Sequence, residues 1–174
     1  MPLSAYTIGV PCKGYVKKYF SCIYGDPISL NHKTDFGDTI LTKLITSPII
    51  RVNKKELNIA FKDFNEKLSF QIPIDMLHRL DPVPSDQQVY GINRYLENVL
   101  ETDLCVCVAV GSFFGVEKKI LIERFCQKFD IRLEEDISYE AIKQREYRFR
   151  KSGTAKNLFL LHFDSPFAFF KRSA

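Results

Sequence analysis

Apolar residues recur along this chain with two different periods, and the change of period organises it. Tyr6–Val10 alternates as a strand does, and Pro11 ends the run. Over Gly14–Ile23, Tyr15, Tyr19, Cys22 and Ile23 fall on one helical face with Lys17 and Lys18 off it, which predicts a short amphipathic helix. Gly25–Asp26–Pro27 is a turn signal, and Pro27–Leu30 reads as extended. Thr34 or Asp35 can cap a helix over about Gly37–Thr46, with Ile40, Leu41, Leu44 and Ile45 inward. Leu57, Ile59 and Phe61 then alternate with polar neighbours, as do Leu68, Phe70, Ile72 and Ile74. That pattern predicts a hairpin of two half-buried strands, with Pro73 marking an edge position. Asp75 opens a short helical turn that reaches about Leu80.

The connector Asp81–Asp86, which holds Pro82 and Pro84, divides a mixed first part (1–80) from a mainly helical second part (86–174). Asp86–Leu100 places Val89, Asn93, Leu96 and Leu100 on one stripe, flanked by Ile92 and Val99. Asp103–Val110 fits a buried strand or a buried helix; helices on both sides and short connections favour the helix. Gly111–Gly115 reads as a turn. Val116–Phe129 is an amphipathic helix burying Leu121, Ile122, Phe125, Cys126 and Phe129, and an acidic link, Asp130–Asp136, follows. Ser138 is a good N-cap for a helix to about Lys151, which Ser152–Gly153 ends.

The tail adds a third kind of pattern. Leu158–Phe163 and Phe167–Phe170 flank the turn signal Asp164-Ser165-Pro166, with Phe159, Leu161 and Phe163 alternating, then Phe167 and Phe169. A hairpin this apolar completes the sheet of its own domain or docks on a second copy of the chain, making a homodimer. The whole predicts an α+β protein of one domain: a short antiparallel hairpin or sheet, a helical C-terminal half, and a terminal apolar strand or hairpin. The length, 174 residues, suits one domain by the usual range of about 100–200.

Charge changes this picture in one place. The formal net charge is only +4, but Lys143, Arg145, Arg148, Arg150 and Lys151 crowd a short stretch that contains a single acid, Glu146. On a wheel of about 100° per residue, Tyr139, Ile142 and Phe149 share a narrow sector with Glu146 at its edge, and cations occupy most of the rest. Cations alone on a solvated face near a helix C-terminus satisfy the helix dipole. A cationic arc also suits an anionic partner, with duplex DNA the commonest. On that reading Lys143, Arg145, Arg148, Arg150 and Lys151 meet phosphates or guanine edges, and Tyr147 offers a hydroxyl or a stacking face. The preceding helix and link resemble a helix–turn–helix layout, although the link exceeds the usual three or four residues.

Tyr15–Tyr24 with Gly25–Leu30, Phe125–Ile131 and Tyr139–Lys151 together resemble small uncharacterised or DNA-related proteins of bacterial prophages and conjugative elements. The resemblance covers a minor part of the chain and includes no catalytic motif. It implies a DNA-binding accessory or regulatory role. The alternative is a non-catalytic interaction module using the aromatic tail.

Other chemistry is thinly represented. The five cysteines are odd in number and mostly in apolar settings, so reduced thiols in a cytoplasmic protein are expected. Cys105-x-Cys107 is one residue short of a zinc knuckle, and no metal or other cofactor is expected. Gly111-Ser-Phe-Phe-Gly115 lacks the Lys–Ser/Thr ending of a phosphate loop. Glu117-Lys118-Lys119 with Asp103 upstream is the one nuclease-like set, yet Glu117 reads as the first turn of a helix. No enzyme activity is expected, and neither a leader peptide nor a membrane span is read in the sequence.

Overall fold

The structure, a computed structural model, describes residues 6–45, 53–79 and 83–151. Three strands form one mixed sheet: β1 (Tyr6–Cys12), β2 (Ile28–Ser29) and β3 (Glu66–Ile72), in the order β1-β3-β2. β1 runs antiparallel to β3 from Tyr6↔Ile72 to Cys12↔Glu66, and β2 runs parallel to it at Ile28↔Phe70 and Ser29↔Gln71. The helices are α1 (Gly14–Tyr24), α2 (Asp35–Ile45), α3 (Lys54–Phe61), α4 (Asp86–Phe113), α5 (Lys118–Lys128) and α6 (Tyr139–Lys151), with a 3₁₀ turn at Ile74–Arg79. The protein is α+β, as its patterning predicts. It divides into two compact units, Met1–Glu97 and Asn98–Ala174, with the boundary inside α4.

In the first unit the sheet buries every second residue: Ile8, Val10 and Cys12 on β1, and Leu68, Phe70 and Ile72 on β3. α1 lies against β2 and β3 and buries Tyr15, Val16, Tyr19 and Phe20. Two polar side chains fasten α4 into this unit. Ser85 and Gln88 form a reciprocal cap, in which the Ser85 N–H donates to Gln88 Oε1 at 2.8 Å and the Gln88 N–H donates to Ser85 Oγ at 3.4 Å, while Gln88 Nε2 donates to the Leu44 carbonyl at 2.6 Å. Asn93 Nδ2 donates to the Pro11 carbonyl at 2.7 Å, tying α4 to β1.

Three expectations change. Leu57, Ile59 and Phe61 are not a strand; they lie on α3, where Leu57 is buried and Ile59 is exposed. Leu57 and Phe61 are four residues apart, so the alternation contains a helical face as well. The partner of β3 is therefore β1, brought from far away in sequence. β3 is also the central strand, and Pro73 lies just beyond its end instead of marking an edge. Pro11, read as ending the first strand, lies within β1; an edge strand tolerates a residue with no N–H to donate.

Asp103–Val110 is helical. It continues α4 without a break, and the Thr102 hydroxyl folds back to donate to the Asn98 carbonyl at 2.8 Å. Gly111 belongs to this helix as well; a Cβ there would overlap the Leu121 side chain, so glycine permits the close approach of α5. The tail hairpin with Phe159, Leu161, Phe163, Phe167 and Phe169, and the helix end at Ser152–Gly153, lie outside the described residues.

Burial sets the thiol chemistry. Loss of solvation pushes Cys12 and Cys105 up to about 12 and Cys126 up to about 11, and raises Cys107; Cys22 is exposed on α1. A native chain is expected to give one fast-reacting thiol with a thiol-specific reagent at pH 8 and five after denaturation. Stability should fall in alkali. Below about pH 9 these thiols are protonated in both states, whereas from there to about 12 the unfolded chain loses protons that the folded chain keeps. A denaturation series from pH 8 to pH 11 checks the slope.

Candidate nucleic-acid interface

The second unit presents its charged side chains from α5, α6 and the link between them. α5 buries Leu121, Ile122, Phe125 and Cys126, and the Phe125 and Phe129 rings, 4.9 Å apart, close its end. The link then turns through two residues of left-handed backbone, Asp130 and Glu134. Asp136 Oδ2 accepts from the Arg132 N–H at 2.7 Å, and Glu134 Oε1 accepts from the Tyr139 N–H at 2.9 Å. Ser138 Oγ accepts from the Ala141 N–H at 3.2 Å, so the N-cap read from the sequence is formed. Asp136 thus closes the link on itself, and Glu134 serves an orphan donor at the start of α6, where a negative charge also suits the helix dipole.

α6 does not carry its cations as a uniform face. Arg145 is 18% exposed, and its guanidinium lies 2.7 Å from Glu101 on α4. That contact turns it inward, away from the open face on which the sequence placed it. The other cations are open to solvent. Lys143 sits 3.2 Å from Glu140, Arg148 Nε donates to the Gln144 carbonyl at 3.3 Å, and Arg150 Nε lies 2.6 Å from Glu146. Tyr147 is 51% exposed, with Arg150 at 6.0 Å and Lys151 at 5.3 Å from its ring centre.

Glu146 is the centre of the arrangement. It was expected at the edge of the apolar stripe, but only 4% of it is exposed, beside buried Ile142. A carboxylate this deep needs cationic partners, and it has two: Lys118 of α5 at 3.4 Å and Arg150 of α6 at 2.6 Å. Glu146 thereby holds one cation from each helix at fixed positions. The sequence carried a usable signal, since an acid four residues after Ile142 on an apolar stripe asks for a buried counter-charge.

Between the two helices runs an open recess of about 510 Å³, the size of a small-molecule pocket. Lys118 and Ile122 line it from α5, and Tyr139, Gln144 and Tyr147 from α6. Four cations (Lys118, Lys143, Arg148 and Arg150) face it against two carboxylates (Glu140 and Glu146), so it is electropositive. Lys118 and Ile122 could not be assigned here from sequence, because a contact between two helices is invisible along either one.

The other chemistries considered in the sequence find these places. Cys105 and Cys107 lie two residues apart on α4, about 200° around a helix, which points them away from a common ion. Glu117 stands before the first turn of α5, not on a strand pair. Among the described residues no group of three or more His, Cys, Asp or Glu side chains could hold a metal ion, and no helix is long and apolar enough to cross a membrane. No protein-family model, curated protein or solved structure matches this chain.

Proposed function

We propose that this protein is a non-catalytic binding module that takes a nucleic-acid strand, single-stranded in preference to duplex, along the recess between α5 and α6. The observation that carries the reading is the recess itself. It has cations on both walls and an exposed tyrosine with Arg150 and Lys151 close to its ring. A helix that reads duplex DNA projects into the major groove and meets base edges with side chains on its outer face. Here the charge surrounds a concavity and Arg145 is tied inward, which suits a strand that can enter and stack a base on Tyr147. The Lys143–Glu140 pair is exposed and worth about 0–1 kcal/mol, so a phosphate can displace the acid at little cost. The Glu146 pairs persist and keep Lys118 and Arg150 in place.

Fluorescence anisotropy with labelled single-stranded and duplex oligonucleotides of mixed sequence, from about 50 to about 200 mM salt, tests this. Substituting Lys143 and Arg148 by alanine leaves the Glu146 pairs intact. It should weaken single-strand binding at least tenfold and flatten the salt slope by about 0.7 per lost phosphate contact. Tyr147→Ala should cost about 1–3 kcal/mol of affinity without changing the salt slope. Equal binding by wild type and the Lys143/Arg148 variant would sink the proposal, and tighter binding to duplex would replace the strand with a helix.

A further inference from the structure

Lys118 and Arg150 come from different helices and meet at one atom. Lys118 Nζ stands 3.4 Å and Arg150 Nε 2.6 Å from the same oxygen of Glu146, Oε1, so the two nitrogens are no more than about 6.0 Å apart. Both side chains are about half exposed, whereas Glu146 is buried. The carboxylate therefore lies behind the cations, and an anion arriving from solvent meets two positive heads first. Arg150 uses only Nε on Glu146. Among the described residues its two Nη groups have no other hydrogen-bonded partner, and they form a fork for a further oxyanion.

Charge and reach narrow what that oxyanion is. Four cations against two carboxylates leave the recess an excess of two positive charges. An internal phosphodiester brings one negative charge, whereas a terminal phosphomonoester brings about 1.5 to 2 at pH 7, on three acceptor oxygens. Two cationic heads this close both reach the oxygens of a single phosphate. Arg150 also lies 6.0 Å from the centre of the Tyr147 ring, so a phosphate held by Arg150 leaves its own base within reach of that ring. The volume of about 510 Å³ is that of a site for one small molecule, not for a run of nucleotides.

We infer, on the premise that the recess binds a strand, that it is an end site. It seats the terminal nucleotide, with the phosphomonoester between Lys118 and Arg150 and the attached base on Tyr147. Lys143, nearer the start of α6 and paired with exposed Glu140, serves the strand beyond that nucleotide.

Four forms of one internally labelled single-stranded oligonucleotide test this by anisotropy at fixed salt: 5′-phosphorylated, 3′-phosphorylated, hydroxyl at both ends, and circular. At least one phosphorylated form should bind about tenfold tighter than the hydroxyl-ended and circular forms, and its identity shows which end is held. Lys118→Gln, which leaves Arg150 on Glu146, should lower the ratio of phosphorylated to hydroxyl-ended affinity about fivefold, and Lys118→Arg should keep it. Lys143→Ala should weaken both forms alike and leave the ratio unchanged. Equal affinity for all four forms would overturn the end site and leave strand binding in place, whereas no binding by any form would remove both. A ratio unmoved by Lys118→Gln would also overturn it. So would unlabelled AMP that competes as tightly as the phosphorylated strand, since the ligand would then be a free nucleotide.

Discussion

Replacing Lys118 and Arg150 together by methionine is expected to destabilise the protein by about 3–5 kcal/mol at neutral pH, far more than surface lysines and arginines usually contribute. Both cations are about half exposed and can leave for water without penalty; the cost lies in the carboxylate left behind. Glu146 would remain buried beside Ile142 with neither counter-charge. Adding Glu146→Gln to the double variant should recover most of the loss at pH 7, because it removes the same charge by substitution. Urea midpoints for the three proteins at pH 7 decide the matter, and a double variant no weaker than wild type would show that Glu146 is not held as described.

The second large effect is in the sheet. Phe70→Ala is expected to cost about 3–5 kcal/mol, the range for emptying an aromatic site in a packed interior. Phe70 is fully buried at the middle of β3, opposite Ile8 on one side and Ile28 on the other. Ile59→Ala should change stability by no more than about 0.5 kcal/mol, since Ile59 is 59% exposed on α3. The pair of variants distinguishes the observed sheet from the hairpin expected from sequence, in which Ile59 would be a buried cross-strand neighbour. Similar losses from both would favour the hairpin.

The elements that could be read along the chain are those whose local signals agree. α1, α2, α5 and the 3₁₀ turn each have an apolar face at helical spacing between turn residues, and the Ser138 cap marks the start of α6. α3 was misread because Leu57, Ile59 and Phe61 satisfy both periods and only burial distinguishes them. The site was half legible. The cations of α6 are plain in the sequence, but that Arg145 turns to Glu101 while Arg150 and Lys118 share Glu146 depends on helices that meet only after folding.

By itself, then, the sequence determined the α+β class, most helix positions, and the concentration of positive charge near residue 150, because these follow from spacing and composition within a few turns of chain. Tertiary structure alone decided that β3 is central, that Glu146 is interior, and that His32 faces both Asp38 and Met76. Strand order, the Lys118–Glu146 pair and the His32–Met76 contact join residues distant in sequence, and no local period encodes which distant partner will be there.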